Sequence, residues 1–258
     1  MARYTRFIAL GDSFTEGMQD ELINGQYRGW ADRVAQGLAT QTPGFKYLNL
    51  AVRGKLVGQV IEDQVPVALQ WIEGRQTLVS FHAGANDLLR PSYEPSTVLP
   101  QYQAAVRQLS ATGCQLMLFT AVERVAKSGK MQDLWHQRFS AFNKVVRDMG
   151  AEVGAIVLEA TADPEIGSRR FLDKDRLHLN PAGHHRVAQG VLQSIGGPFD
   201  PNWRSDLPPL PHRSLLAKIN DDLRWFITFL IPWMSRRLRG VSSGDGRSPK
   251  HSAPVQMS

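Results

Sequence analysis

A single cysteine, Cys114, stands in a chain of 258 residues. It excludes an internal disulfide and any metal centre built on paired cysteines. No run of about 18 apolar residues occurs, so no segment reads as a membrane-spanning helix. No internal repeat is visible, and there is no zinc-finger, RNA-recognition or helix-turn-helix signature. With 42% hydrophobic and 21% charged residues, the chain has the composition of a globular protein rather than of a disordered, collagen-like or coiled-coil one. A basic stretch, apolar core and cleavage site of the secretory kind are also missing: the strand-like Thr5–Leu10 runs straight into Gly11–Gly17. A cytoplasmic protein is the expectation.

What is present is an alternation. Apolar strand candidates fall at 5–10, 46–50, 76–81, 115–120 and 154–158, and helix-period stretches lie near 29–40, 56–72, 97–112, 133–149 and 181–195. Strands alternating with helices at this spacing imply βαβ units and a parallel sheet. The strands show little polar alternation, as expected when helices cover both faces. Asn180 and Pro181 form a helix start, cap followed by first residue.

The pattern changes after residue 198. Five prolines lie between Gly196 and Arg213, a density that favours an extended linker. Residues 214–239 form an amphipathic helix, with Leu215, Ile219, Leu223, Phe226, Leu230, Met234 and Leu238 at steps of three or four. The Ser-, Gly- and Pro-rich 240–258 reads as a disordered tail. The organisation is thus a domain over 1–198, a linker over 199–213, the helix and the tail. Residues 199–258 carry nine Lys/Arg and five Asp, a net +4 out of the total +6. The basicity belongs to the end of the chain, which argues against a nucleic-acid groove on the domain.

Four short segments carry chemistry. Gly11-Asp12-Ser13 follows the first strand, where the carboxyl edge of a parallel sheet binds ligands; the glycine permits a tight bend that presents the serine. Asp175-Arg176-Leu177-His178 precedes the last helix. A serine hydroxyl needs a base to take its proton, and a histidine with a neighbouring carboxylate is suited to the task. Gly84-Ala85-Asn86-Asp87 and Asn49–Gly54 each follow a strand, and an asparagine amide or a glycine N–H there is a suitable donor to a developing oxyanion. Each alone also reads as turn or capping chemistry.

Together, in this order, the four segments resemble the conserved blocks of the SGNH/GDSL hydrolases, over roughly Tyr4–Ile195. The resemblance implies a three-layer α/β/α sandwich with a central parallel sheet of the flavodoxin-like type, and an esterase or acylhydrolase needing neither metal nor other cofactor. It implies Ser13 as nucleophile, His178 as base, Asp175 as its orienting carboxylate, and an oxyanion hole from Ser13, Gly54 and Asn86. The substrate is expected to be a small-molecule ester. A deacetylase of a sugar or glycoconjugate would use the same residues. A non-catalytic module with a membrane-associating tail is the alternative of another class.

Secondary expectations follow. Asp12 is read as structural, Asp87 as orienting its loop and His82 as a core histidine. The loose cluster of His178, His184, His185, Asp173 and Asp175 is not read as a metal site; its members beside the triad are read as packing or capping residues. Arg53 and Lys55 form either a solvated basic pair or, if they face the site, a preference for anionic substrates. Glu123 and Arg124 are candidates for the pocket lining. Trp225–Arg239, with Arg236, Arg237 and Arg239 behind its aromatics, offers peripheral membrane contact. The alternative, that its apolar face packs on protein, is the commoner use of such helices.

Overall fold

The computed structural model describes residues 4–122, 130–205, 207–210 and 214–257, with backbone alone for 130–132, 161, 237 and 238. Five parallel strands form the sheet: β1 (Arg6–Gly11), β4 (Lys46–Asn49), β5 (Thr77–His82), β6 (Gln115–Phe119) and β7 (Ile156–Leu158). Their order is β7-β6-β5-β1-β4, with β8 (Val255–Gln256) antiparallel at the outer edge. A separate hairpin pairs β2 (Leu22–Ile23) with β3 (Gln26–Tyr27).

The strands are apolar on both faces because each face is covered. Ile8, Leu10, Val79, Phe81 and Leu118 pack beneath α3 (Val57–Asp63), α4 (Val65–Leu69), α6 (Pro95–Ser110) and α7 (Lys130–Val153). Phe7, Ala9, Tyr47, Leu78 and Met117 face the other way, toward α2 (Trp30–Ala39) and α8 (Pro181–Ile195). This alternation, two apolar cores on the two sides of one sheet, is the three-layer α/β/α arrangement.

Strand and helix positions follow the sequence pattern within a few residues. The stretch 56–72 is the exception, divided at Gln64 into α3 and α4. Pro66 in the first turn of α4 has no N–H to continue a helix from α3.

The end of the chain departs most from expectation. Residues 240–257 are not a loose tail. The chain returns to the domain, and Val255 and Gln256 pair with Tyr47 and Lys46. Met257 N–H donates to Phe45 O, and His251 N–H to Asn49 O. Lys250 meets Asp32 at 2.6 Å, with both side chains largely buried. The low-complexity composition hid a strand of only two residues, held by partners some 200 positions away. In the Pro-rich segment, Trp203 lies over Gly190 and stacks with Arg186.

The helical stretch runs from α9 (Leu215–Trp225) through a π turn at Phe226–Leu230 into α10 (Ile231–Leu238). Ile231 N–H donates to Phe226 O, an i→i−5 bond. The turn accommodates Pro232, which would break a regular ladder.

Candidate active site

Strands β1, β4 and β5 are neighbours, and their carboxyl ends form the edge on which the site is built. The connections leave β1 toward β4 on one side and reach β5 on the other. This is the switch point at which open α/β sheets bind ligands.

Gly11 ends β1 with φ +148°, and a Cβ there would sit 2.3 Å from His82 O. Only glycine fits. The buried Gln64 side chain clamps it from the helix break, accepting from Gly11 N–H at 2.8 Å and donating to Gly11 O at 2.9 Å. Asp12 then caps α1 (Ser13–Glu16), accepting from Phe14 N–H. Ser13 is the first residue of that turn, so its own N–H has no acceptor within it.

The Ser13 hydroxyl lies 3.0 Å from His178 Nε2, and His178 Nδ1 lies 2.6 Å from Asp175 Oδ2. Asp175 Oδ1 accepts the N–H groups of Leu177 and His178 at 2.9 and 3.0 Å. Burial pushes the Asp175 carboxyl up. The hydrogen bond to His178, its charge and the two N–H donors outweigh that and hold it at about 2. The loop achieves this because Arg176 adopts a left-handed conformation, φ +59°. Arg176 in turn stacks on Trp225, whose indole N–H donates to Asp175 O at 2.8 Å.

Asn86 ties the remaining segments together. Its amide donates to Asp12 Oδ2 at 3.0 Å and to Lys55 O at 3.2 Å, linking the serine turn to the loop of Gly54. Gly54 has φ +76°, and a Cβ on it would meet Ser242 Oγ at 2.2 Å. Asn49 lies beneath, fully buried, donating to Thr15 O and Tyr47 Oη and accepting from Ala51 N–H. The structure therefore brings Ser13, Gly54, Asn86, Asp175 and His178 to one edge.

The secondary residues sort differently. Arg53 is neither a solvated cation nor free to meet an anion: its backbone N–H and guanidinium both engage Glu16. Lys55 is paired with Asp63 at 2.6 Å. Asp87 accepts Val57 N–H at the start of α3, and burial raises its carboxyl to about 6. His184 uses both ring nitrogens, one accepting from Trp30 N–H and one donating to Met18 O, and burial lowers it to about 4. His185 is exposed. Glu123 and Arg124 lie outside the described residues, as does the Arg237 side chain.

Sequence reasoning reads His82 as a core histidine, which it is, but misses Gln64 and Trp225 as neighbours of the site. His82 is buried against Phe14, ring centroids 4.6 Å apart, with Nδ1 3.6 Å from Asp12 Oδ1. Gln64 and Trp225 come from distant helices and carry no local motif.

A model of the GDSL-like lipase/acylhydrolase family matches residues 9–186. The chain belongs to this family. It is an ester-bond hydrolase, and its last 72 residues lie beyond the matched region. Among solved structures, this acylhydrolase resembles the acetylxylan esterase Axe2 of Geobacillus stearothermophilus, with 20% identity and TM-score 0.59, over 80% of this chain and all of that one. It also resembles the psychrotrophic esterase EstA of a Pseudoalteromonas species, at 16% and 0.56 over 74% and 97%. A third is LAE5, an α/β hydrolase from the Lake Arreo metagenome, at 19% and 0.58 over 76% and 97%. These likenesses show the fold. Catalytic mutants of Axe2 replace a serine, a histidine and an aspartate, the last two three positions apart. No curated relative matches by sequence.

Proposed function

We propose that this acylhydrolase is a serine esterase working through Ser13, His178 and Asp175 and an acyl-enzyme. The continuous hydrogen-bond chain from Ser13 Oγ through His178 to Asp175 carries the reading. His178 Nε2 takes the hydroxyl proton as Ser13 Oγ attacks the acyl carbonyl. The proton then passes to the leaving alcohol. Asp175, ionised above about pH 2, accepts from Nδ1–H and stabilises the imidazolium. Water, deprotonated by the same histidine, releases the acyl group. The Axe2 mutants support these roles, since the residue types and the Asp–His spacing agree.

The developing oxyanion is received by the N–H groups of Ser13 and Gly54 and by the Asn86 amide. The amide hydrogen now given to Lys55 O is the one released to the oxyanion, while the bond to Asp12 keeps the amide in place. The bond to Asp12 holds the amide nitrogen in position, so only the bond to Lys55 O has to give way as the oxyanion forms.

Hydrolysis of p-nitrophenyl esters from acetyl to palmitoyl, with Ser13→Ala beside the native chain, tests the assignment. Turnover should fall by at least about 10⁴-fold in the variant with an unchanged unfolding temperature. A variant that keeps its turnover removes Ser13 from the mechanism. A preference for acetyl favours the second reading, removal of acetyl groups from a carbohydrate, which the structural likeness to an acetylxylan esterase supports. A preference for long chains favours lipid-like esters.

A further inference from the structure

Residues 215–238 form a helix with two unlike sides. One side holds the catalytic loop. Trp225 donates to Asp175 O, and Asp222 bridges Arg176 at 2.8 Å and Arg169 at 3.2 Å. The other side carries Leu216, Ile219, Leu223, Ile227, Ile231 and Met234, each 46–79% exposed. The apolar face expected to pack on the domain points into solvent instead. Lone exposed leucines are ordinary, but a stripe maintained over about five turns of helix marks an interaction surface.

The charge says what that surface meets. The segment 214–239 holds five Lys/Arg against two Asp, and Asp222 is already engaged by the domain. Lys218, Arg224 and Arg239 are exposed. A two-fold contact with a second copy would set these cations against their own kind. An apolar face with exposed cations suits an anionic lipid surface, with the side chains in the acyl boundary and the cations at the headgroups. No helix among the described residues is long and apolar enough to cross a membrane, so the contact is peripheral.

We propose that the outward face of the α9–α10 helix docks this acylhydrolase on anionic lipid bilayers. Docking there holds the Asp175–His178 loop, fastened to the opposite side of the helix, one helix diameter (~10 Å) from the lipid surface. The binding does not depend on the catalytic assignment, and Ser13→Ala chains should bind equally.

The test uses the full chain and co-sedimentation with vesicles. One set is phosphatidylcholine alone, the other phosphatidylcholine mixed with phosphatidylglycerol. The native chain should sediment with the anionic vesicles and at least about tenfold less with the neutral ones. Leu223→Asp with Ile227→Asp should abolish sedimentation, and Arg224→Glu with Arg239→Glu should weaken it about tenfold or more. All four residues lie outside the active site, so unchanged turnover of a short water-soluble ester reports an intact fold. Three outcomes overturn the proposal: no sedimentation of the native chain, sedimentation unaffected by Leu223→Asp with Ile227→Asp, or a dimer in sedimentation velocity that those substitutions dissociate without any vesicle binding.

Discussion

Asp175 and Asn86 show how single side chains of the proposed site are held in place. Asp175 spends one oxygen on His178 and the other on two backbone N–H groups. Asparagine at 175 can still accept those N–H bonds, but it cannot stabilise an imidazolium. Asp175→Asn should therefore keep its unfolding temperature while kcat for p-nitrophenyl acetate falls about 10⁴-fold. Asn86→Ala should cost about 10²–10³ in kcat with little change in KM, as expected for a donor used in the transition state. Local spacing made these residues readable in the sequence, because Asp–x–x–His and Gly–Asp–Ser bring their members together within one turn. The roles of Gln64 and Trp225 beside the site were not readable. Each reaches the site from elsewhere in the fold, and nothing near it in sequence says so.

At the scale of elements, Asp87 joins α5 (Ala85–Leu88) to the start of α3. Its carboxyl is raised to about 6, chiefly by burial, with the nearby Asp12 charge adding to the shift. A carboxyl that binds its proton more tightly folded than unfolded stabilises the fold below its ordinary value near 4. That stabilisation is lost as pH rises to about 6. Asp87→Asn still accepts from Val57 N–H and does not titrate. Between pH 4 and 7, Asp87→Asn should gain about 2–3 kcal/mol relative to the native chain, measurable as a widening gap in chemical unfolding curves. Parallel gaps across that range would remove the buried-carboxyl explanation. The strands and long helices were legible because their apolar periodicity extends over many residues. The short α1, α5 and β2–β3 elements were not, since two to four residues carry no period.

Across the whole molecule, the domain and the final 60 residues form one structure rather than a core with an appendage. Trp203 packs on α8, Trp225 holds the Asp175–His178 loop, Ser242 lies against Gly54, and β8 closes the sheet edge. Lys250 and Asp32 show what this costs to undo. Their side chains are 6% and 17% exposed, and burial already raises the Asp32 carboxyl. Removing one partner of such a pair strands the other, at about 3–5 kcal/mol. Lys250→Met should lower the unfolding temperature by roughly 6–20 °C, at about 2–4 °C per kcal/mol. Adding Asp32→Asn should restore much of the loss, because the stranded charge is gone while Gly29 N–H keeps an acceptor. A chain ending at residue 198 should lose far more than its helix. It leaves Asp32 unpaired, uncovers Tyr47 and removes the support of Gly54, so ester turnover should fall together with the unfolding temperature. If that shortened chain keeps native turnover and melting, the matched family region folds and works alone, and the return of the chain to β4 is dispensable.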